Sequence, residues 1–271
     1  EQSLSDCIIT LAQSFVGSNN MPMLKGIGQF GSRLQGGKDA ASARYVHVEC
    51  SEFMRAVIMK RDDPVLQLLT EEGTVVEPEF FLPLLPLVLI NGARGIATGF
   101  STFVPCHSVR DVLGAVRDEL NGIHVDVLSV SYTGFKGSIE QHDAAFVTHG
   151  VIKAHACERG HMKILIEELP VHMWTETFLS KLEARKDVLK VTSRCDDVTV
   201  RIEVRANASA LPDIERMLVS HLSTSNMFLF DEKNMLQRYA SSADIVRHFV
   251  SVRLRYYEMR LEEEQKMLKQ Q

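Results

Sequence analysis

Residues able to do chemistry on a phosphate concentrate in one segment near the start of the chain, residues 17–45. This segment holds six glycines and one acidic residue, Asp39. Its basic side chains are Lys25, Arg33, Lys38 and Arg44. The whole chain has a formal net charge of −5, so this positive charge is local. Glycines let a backbone approach a phosphate closely, and interleaved basic side chains supply the charge that a polyanion requires. The composition favours a flexible phosphate-binding segment and a mobile surface loop about equally.

Tyr45 ends this segment and could act as a nucleophile. Free tyrosine side chains have a pKa of about 10, so a tyrosine nucleophile needs assistance at neutral pH. An adjacent guanidinium such as that of Arg44, with other cations and a metal, can stabilise a phenolate and the charge on an attacked phosphate. Most Arg-Tyr dipeptides only contribute to packing, so the pair predicts phosphoryl transfer only together with its surroundings.

Other catalytic chemistry is not indicated. Three histidines and a cysteine lie close in sequence, at His149, His155, Cys157 and His161, but their spacing fits no standard zinc pattern. They are expected to be ordinary strand residues. The sequence contains no HExxH, P-loop or GxSxG motif. No residue is therefore predicted as a metal ligand.

The elements that position the segment belong to the α+β class. Those predicted for the first part are a helix over 3–16, a strand over 45–48, a helix over 51–59 capped by Ser51, a helix start at Asp62-Asp63-Pro64, and a two-stranded wing over 70–80 that turns at Glu72-Gly73. This is the inventory of a winged helix. Pro83 and Pro86 indicate a boundary, so residues 1–84 are predicted as a winged-helix domain that carries Tyr45.

Residues 85–240 are predicted as a second, α+β domain, and 241–271 as one long helix. The elements predicted there are a helix over 108–121, short strands over 133–168, a helix over 171–186 around Trp174, a strand pair over 190–205, and a helix over 212–221. A narrow heptad seam follows Ile245, Phe249, Val252, Tyr256 and Met259. It predicts either the start of a coiled coil or an amphipathic helix packed on its own domain.

Composition limits the class of protein. The 271 residues are 45% hydrophobic and 24% charged, which is typical of a globular chain of about two domains. No apolar run approaches the roughly 20 residues of a membrane span. Five cysteines without a CxxC pair favour a reducing compartment. The chain begins without Met and ends within a helical run, so it is expected to be an internal segment of a longer polypeptide.

Motifs along the whole chain resemble those of one family. The matching stretches are Phe15-Val16-Gly17-Ser18-Asn19-Asn20, Gly28-Gln29-Phe30-Gly31, Gly36-Gly37-Lys38-Asp39-Ala40-Ala41-Ser42, Arg44-Tyr45, Pro86 to Gly99, Gly134-Phe135-Lys136-Gly137, Glu168-Leu169-Pro170, Trp174-Thr175, Leu229-Phe230-Asp231 and Arg253-Leu254-Arg255-Tyr256-Tyr257. Their collinear order resembles the DNA-breakage region of type IIA DNA topoisomerases, in the eukaryotic branch (topoisomerase II). Bacterial gyrase-type proteins lack the Gly-Gly-Lys-Asp spelling and resemble it less.

This resemblance implies roles for particular residues. Tyr45 would form a 5′-phosphotyrosyl link to DNA, with Arg44 as its electrostatic helper. Ile96 matches an isoleucine that wedges between base pairs and helps to bend the duplex, which costs a few kcal/mol of unstacking but lets bent DNA touch more protein. Without the resemblance, an isoleucine buried at a tight turn would be the favoured interpretation. The side chains implied as DNA-binding or as support for the active site are Arg33, Lys38, Lys25 and Gln29.

The resemblance also implies an organisation and partners. Residues 1–84 would be the winged-helix part, 85–240 the tower and 241–271 the start of the coiled-coil arm. Mg²⁺ would be held by a TOPRIM domain and ATP by a separate ATPase domain, both outside this chain, so the isolated segment is expected to be inactive. The implied partners are double-stranded DNA and a second copy of the protein, with no membrane.

Three departures from the family pattern stand out. Ala43 replaces a usual proline before the Arg-Tyr pair, Arg94 stands where an acidic residue is common, and Phe100 replaces a tryptophan. They suggest a divergent member, such as one from a large DNA virus. The expected location is intracellular: the nucleus for a cellular eukaryotic enzyme, and the host cytoplasm, with the nucleus as an alternative, for a viral one.

Two other classes of function stay open from the residues. One is a non-catalytic DNA-binding module whose basic loop only clamps the backbone. The other is a structural dimerisation piece whose functional element is the last helix.

Overall fold

The structure, a computed structural model, describes residues 2–142, 145–157 and 160–270. Within these residues it mixes helices with small antiparallel sheets, which confirms the α+β class. The helices are α1 (Gln2–Ala12), α2 (Glu52–Val57), α3 (Leu87–Asn91), α4 (Val109–Leu120), α5 (Thr175–Glu183), α6 (Leu211–Met217) and α7 (Ser242–Gln270). Short 3₁₀ turns lie at Ala43–Tyr45, Lys60–Val65 and Ala208–Ala210.

The strands are β1 (Leu24–Ile27), β2 (His47–Cys50), β3 (Leu68–Glu71), β4 (Thr74–Pro78), β5 (Ala93–Ala97), β6 (Phe100–Val104), β7 (Ser138–His142), β8 (Ala145–His149), β9 (Val151–Ala156), β10 (His161–Glu168), β11 (Val188–Ser193), β12 (Ile202–Asn207), β13 (Val219–Ser223), β14 (Met227–Phe230) and β15 (Leu236–Tyr239). The largest sheet described has four strands in the order β11-β12-β10-β9, and β13-β8-β7 form a three-stranded sheet. The remaining sheets are two-stranded pairs.

The chain divides into two compact units, and each is built from two stretches of sequence. The first unit comprises Glu1–Glu49 and Val130–Ser225, and the second Cys50–Ser129 and Asn226–Gln271. The domain limits 1–84, 85–240 and 241–271 inferred from the sequence stay a prediction.

The core of the first unit lies between the four-stranded sheet and the helices α5 and α6. Every second side chain of β10 and β12 points into this core, including Ile164, Ile166 and Ile202. Phe178 on α5 and Ile214 on α6 are fully buried against them. This alternation covers one face of the sheet with helices and leaves the other face to solvent.

One predicted helix of the first unit is shorter than expected. The sequence predicts a helix over 212–221, but α6 ends at Met217 and Val219–Ser223 forms β13. Strand β13 pairs with β8, with Val219 opposite His149 and Leu222 opposite Phe146. Backbone pairing with a strand distant in sequence therefore overrides the local helical pattern.

The second unit contains the predicted wing. Strands β3 and β4 turn at Glu72 and Gly73, which both have positive φ angles of 49° and 80°. Two consecutive positive φ angles produce the tight turn that suits twisted strands. The predicted cap of α2 is also present, because the Ser51 hydroxyl accepts a hydrogen bond from Met54 N at 3.1 Å.

The long helix α7 packs against the rest of the second unit through its first half. Ile245 and Val250 are buried there, and Arg253 donates a hydrogen bond of 2.7 Å to Asp62. Further along, Met259 is 41% exposed. The amphipathic interpretation thus holds for the first half, and the coiled coil beyond it stays a prediction.

The oxidation state of the cysteines and the apolar character of the helices can also be read from the structure. All five cysteines are free, and burial raises the pKa of the Cys106 thiol to about 12. No helix in the described residues has the length and apolar character needed to cross a membrane.

Candidate functional site

Tyr45 is presented at the surface of the first unit. It ends the 3₁₀ turn Ala43–Tyr45, where its N–H donates to Ser42 O at 2.9 Å. The residue is 73% exposed, although tyrosine rings are usually at least half-buried. The Arg44 guanidinium carbon lies 5.8 Å from the centre of the Tyr45 ring. The phenol and an adjacent cation are therefore both available to a partner in solution.

The segment that leads to Tyr45 is held by its own hydrogen bonds. Asp39 accepts hydrogen bonds from the Ser32 backbone N–H at 2.9 Å and from the Ser32 hydroxyl at 2.5 Å. Gly37 N donates to Ser32 O at 2.9 Å, and Ala41 N donates to Gln29 O at 2.9 Å. These bonds fix the loop in one conformation, so it is not the flexible segment that its composition suggests.

Three glycines in this loop are needed for close packing. Gly31, Gly36 and Gly37 have φ angles of 90°, 67° and 84°, which side chains other than hydrogen rarely tolerate. A Cβ on Gly31 would lie 2.6 Å from Gly37 Cα, and one on Gly36 would overlap the Trp174 ring. The sequence interpretation assigned these glycines to phosphate approach, whereas the structure uses them to pack the loop.

A single methyl group tests this packing. Gly36→Ala and the control Gly122→Ala place a side chain at similar φ angles, 67° and 75°, but a Cβ on Gly122 would meet no atom within 4 Å. In both variants the left-handed conformation lowers the free energy of unfolding by about 1–2 kcal/mol. Only Gly36→Ala adds a steric overlap, which brings its total loss to roughly 2–5 kcal/mol. Thermal unfolding and limited proteolysis of the loop would measure the difference. Equal losses in the two variants would contradict tight packing of Gly36 on Trp174.

The loop also docks on the first turn of α5. Thr175 N donates to Arg33 O at 3.3 Å, and Glu176 N donates to Leu34 O at 3.1 Å. The first N–H groups of a helix have no partner inside the helix, so the loop carbonyls satisfy two of them. Gln35 adds a hydrogen bond of 3.0 Å to the Glu176 carboxylate. The helix predicted over 171–186 is shorter in the structure, where α5 runs only from Thr175 to Glu183.

Arg33 lies inside the first unit rather than on its surface. Its side chain is 5% exposed and forms an ion pair with Glu168, whose side chain is 1% exposed. Glu168 also accepts hydrogen bonds from Lys136 N at 3.1 Å and Leu169 N at 2.9 Å. The guanidinium has no free surface for a phosphate, which differs from the DNA contact expected of Arg33 from the sequence.

Glu168 is a residue whose role the sequence interpretation missed, although a signal was present. It follows Ile164 and Ile166 at a spacing of two along β10, and both isoleucines are fully buried. The same alternation places Glu168 on the buried face, where a carboxylate requires a cation. The period of the strand could therefore have indicated a buried ion pair, but not its partner, which is 135 residues away.

The other predicted side chains of this segment remain exposed. Lys25 and Gln29 lie at the surface, and so does Lys38. Lys25 Nζ is 3.1 Å from the Glu49 carboxylate, but both side chains are at least 49% exposed. Such surface pairs contribute little stability, so Lys25 can exchange its partner for a phosphate at small cost.

Ile96 is the most exposed large hydrophobic residue of the second unit. It lies on β5, opposite Ser101 of β6, next to the turn that contains Gly99. The residue is 91% exposed. This excludes the alternative of an isoleucine buried at a tight turn and leaves an apolar side chain projecting from a hairpin.

Metal ligands do not cluster in the described part of the chain. Residues 2–142, 145–157 and 160–270 contain no group of three or more His, Cys, Asp or Glu side chains that could hold an ion. Asp39, the one acidic residue of the basic segment, is occupied with Ser32.

Arg44 and Tyr45 are thus exposed together on a loop held by hydrogen bonds, with Lys25 and Lys38 exposed on the same segment. Comparison with known proteins places the chain in a family. Residues 1–271 match the family of the A subunits of DNA gyrase/topoisomerase IV, so the chain belongs to this family. The resemblance to type IIA topoisomerases inferred from the motifs is confirmed.

Eukaryotic topoisomerases are among the relatives of this chain. The chain is 38% identical to DNA topoisomerase 2-alpha of Mus musculus and 36% identical to DNA topoisomerase 2 of Pisum sativum. These alignments cover 97% and 95% of the chain, and 18% of each relative. The chain thus spans about a fifth of the length of these relatives.

A solved structure agrees with the fold. The chain superposes on the Plasmodium falciparum topoisomerase II DNA-binding, cleavage and re-ligation domain with a TM-score of 0.91 and 34% identity. The match covers 99% of this chain and 38% of the other. None of these relatives bears on a viral origin, which stays a prediction.

Proposed function

We propose that this chain is the DNA-breakage region of an ATP-dependent type IIA DNA topoisomerase, with Tyr45 as the nucleophile. The observation that carries the proposal is the exposed Tyr45 phenol at the end of a loop that hydrogen bonds hold rigid. Membership of the family and the likeness to a DNA-binding, cleavage and re-ligation domain support it. The enzyme would relax and decatenate DNA by passing one duplex through a transient break in another.

The reaction follows from the chemistry of a phenol. The Tyr45 oxygen forms a bond to phosphorus, the bond from phosphorus to the 3′ oxygen of the neighbouring nucleotide breaks, and that oxygen takes up a proton as the phenol loses one. The product is a 5′-phosphotyrosyl link and a free 3′ hydroxyl. Reversal reseals the strand without added energy, because the phosphotyrosyl ester keeps the energy of the original bond.

Neighbouring residues assist this step without taking part in bond changes. The Arg44 cation stabilises the negative charge that builds on the attacked phosphate, as positioned charges do in acyl and phosphoryl transfer. Lys25, Gln29 and Lys38 would hold the backbone nearby from their exposed positions. For Arg33 we propose a positioning role through Glu168 in place of a DNA contact.

Ile96 would act as the wedge that bends the bound duplex. Replacing it with glycine removes the apolar side chain, so we expect a smaller bend angle in fluorescence energy transfer and a lower cleavage yield. Unstacking a base step costs about a few kcal/mol, and without the wedge no inserted side chain offsets that cost. Val76→Gly on the wing removes another exposed apolar side chain, 55% exposed, and should leave the angle unchanged. An equal bend in wild type and Ile96→Gly would contradict the wedge.

The metal ion and the nucleotide are assigned to other parts of the enzyme. We propose that Mg²⁺ is held by a TOPRIM domain and ATP by an ATPase domain, neither of them in this chain, and that the enzyme works as a homodimer on double-stranded DNA. When bound, the metal would stabilise charge on the phosphate and on the leaving oxygen. We propose the nucleus as the location, as expected of a eukaryotic enzyme that acts on chromosomal DNA.

Trapping the covalent intermediate tests the proposal. The complete protein is mixed with supercoiled DNA and Mg²⁺ and quenched with detergent, and the adduct is digested for mass spectrometry. We expect a nucleotide attached to the peptide that contains Tyr45. DNA binding without any adduct would instead support the non-catalytic clamp, in which the phenol has no chemical role.

A further inference from the structure

A cavity of about 450 Å³ lies within the second unit, beside the first half of α7. Its walls come from residues 79–88, from the hairpin of β14 and β15, and from α7 itself. Sites for small organic molecules have volumes of about 300–1,000 Å³, so this cavity is large enough to hold one. The steps proposed for DNA cleavage do not use it.

Apolar side chains form most of the wall of this cavity, and four of them are aromatic. Phe80 and Phe249 are partly buried, whereas Phe81 and Phe230 are more exposed. Val252 adds an aliphatic surface. Aromatic rings pack favourably edge-on or offset against one another, so this wall suits a flat aromatic group.

Arg253 supplies a buried cation to the same wall. Its side chain is 6% exposed, and its Nη2 donates a hydrogen bond of 2.7 Å to Asp62. Its Nε and Nη1 are buried as well, and neither has a hydrogen-bond partner among the described residues. Buried donors in proteins nearly always have an acceptor, because leaving one unpaired costs free energy. This guanidinium therefore lacks an acceptor.

The charge around Arg253 is not balanced by its neighbours. Arg260 Nη1 donates a hydrogen bond of 3.0 Å to the same Asp62, so two guanidinium groups share one buried carboxylate. Glu264 lies 3.9 Å from Arg260 Nε, but its side chain is 49% exposed. The guanidinium carbon of Arg253 is 4.3 Å from the centre of the Tyr257 ring, which attracts the cation without supplying an acceptor oxygen. An anion is what this end of the cavity lacks.

The acidic side chains that line the cavity do not offer a comparable place for a ligand cation. Asp231 accepts two backbone hydrogen bonds, at 2.9 and 2.8 Å, from the turn between β14 and β15. Glu232 lies 3.0 Å from His248 Nε2 and accepts a hydrogen bond of 3.1 Å from Arg255. Glu79 is exposed to solvent. A bound cation would have to replace these existing bonds, whereas a bound anion would meet unfilled donors.

We propose that this cavity binds an aromatic carboxylate, whose ring lies among the phenylalanines while its carboxylate accepts hydrogen bonds from Arg253. The ligand would touch both α7 and residues 79–88 and so stabilise the second unit. The proposal goes beyond the proposed function and does not rest on it, because neither Tyr45 nor DNA takes part.

Three probes that differ in one group test this site on the complete protein without DNA. They are naphthylacetate, the uncharged naphthylethanol and the cationic naphthylethylamine, and titration calorimetry measures the affinity of each. We expect the carboxylate to bind about 10–100-fold more tightly than the alcohol, which is the effect of a hydrogen bond to a charged group. The amine should bind most weakly, because it would place a second cation beside Arg253.

Two pairs of variants locate the bound probe. Arg253→Met removes the guanidinium and leaves Asp62 with its second arginine. Its control, Arg247→Met, removes a guanidinium that is exposed on the same helix. Val252→Trp fills the cavity, and its control, Leu254→Trp, adds the same ring at a position that is 45% exposed.

Arg253→Met should bind the carboxylate and the alcohol equally, because only the carboxylate uses the lost donors. Val252→Trp should bind neither probe, and both controls should behave like the wild type. Naphthylacetate should raise the unfolding temperature of the wild type but not that of Val252→Trp.

Three results would overturn the proposal: tighter binding of the amine, equal binding of all three probes to the wild type, or unchanged binding to Val252→Trp. Absence of binding by the wild type would overturn it as well. If Arg253→Met does not fold, the order of the three probes and the comparison of Val252→Trp with Leu254→Trp still decide the matter. Formation of the DNA adduct is a separate measurement, so failure of this site and failure of the proposed function are distinguishable.

Discussion

Tyr45→Phe is expected to abolish the covalent protein–DNA adduct while leaving DNA binding intact. The change removes one oxygen and keeps the ring, and the residue is 73% exposed, so the change should affect packing little. Enzymes that lose their nucleophile lose on the order of 10⁴–10⁶-fold in rate, because no other group can form the covalent bond. Detergent-quenched cleavage of supercoiled DNA by the complete protein measures the yield, and a salt titration of binding checks that the complex still forms.

The chain offers a closely matched control for this experiment. Arg255 and Tyr256 on α7 form another of the Arg-Tyr dipeptides in the sequence, with the guanidinium carbon 5.7 Å from the ring centre. That distance is nearly the 5.8 Å found for Arg44 and Tyr45. Tyr256→Phe should therefore retain the full adduct yield. If both variants retain it, Tyr45 is not the nucleophile, and if both lose it, the loss is not specific to Tyr45.

Comparison of these two dipeptides shows why the site could be predicted from sequence only in part. The Tyr256 ring packs edge-on against Phe80, 6.0 Å between centres, whereas the Tyr45 ring projects from a short turn. Nothing in either dipeptide distinguishes the two environments. The surrounding sequence motif distinguished them, because the whole segment that ends at Tyr45 resembles the family.

The fold was predictable where local chemistry determines it. Ser51 caps the helix that it was expected to cap, and the wing turns at Glu72 and Gly73 as expected. These features depend on residues within four positions of one another. Strand β13 was missed because it depends on pairing with β8, about 70 residues earlier.

The same limit applies to the basic segment. Nothing in the sequence distinguishes its basic residues from one another, yet Arg33 is buried while Lys25 and Lys38 lie at the surface. The difference arises from Glu168, on a distant strand that happens to run beneath Arg33. Composition indicates that a segment carries positive charge, but only the tertiary structure shows which charges remain free for a ligand.

The second large effect is expected at this buried pair. Glu168→Gln keeps the shape of the side chain but leaves the Arg33 charge uncompensated in the interior. Arg33 Nε already has no hydrogen-bond partner among the described residues, so the guanidinium depends on this one carboxylate. Removing one partner of a buried ion pair costs about 3–5 kcal/mol. Chemical denaturation should show this loss as a lower midpoint with an unchanged slope.

A double variant separates stability from positioning. In Arg33→Met with Glu168→Gln, no charge is buried and an amide oxygen still accepts a backbone hydrogen bond, so most of the lost stability should return. The loop, however, no longer has the ion pair that joins it to β10. We expect the double variant to unfold like the wild type yet to form less adduct at equal DNA occupancy, because Tyr45 is held less firmly at the phosphate. Recovery of both stability and adduct yield would show that the pair only supports the fold.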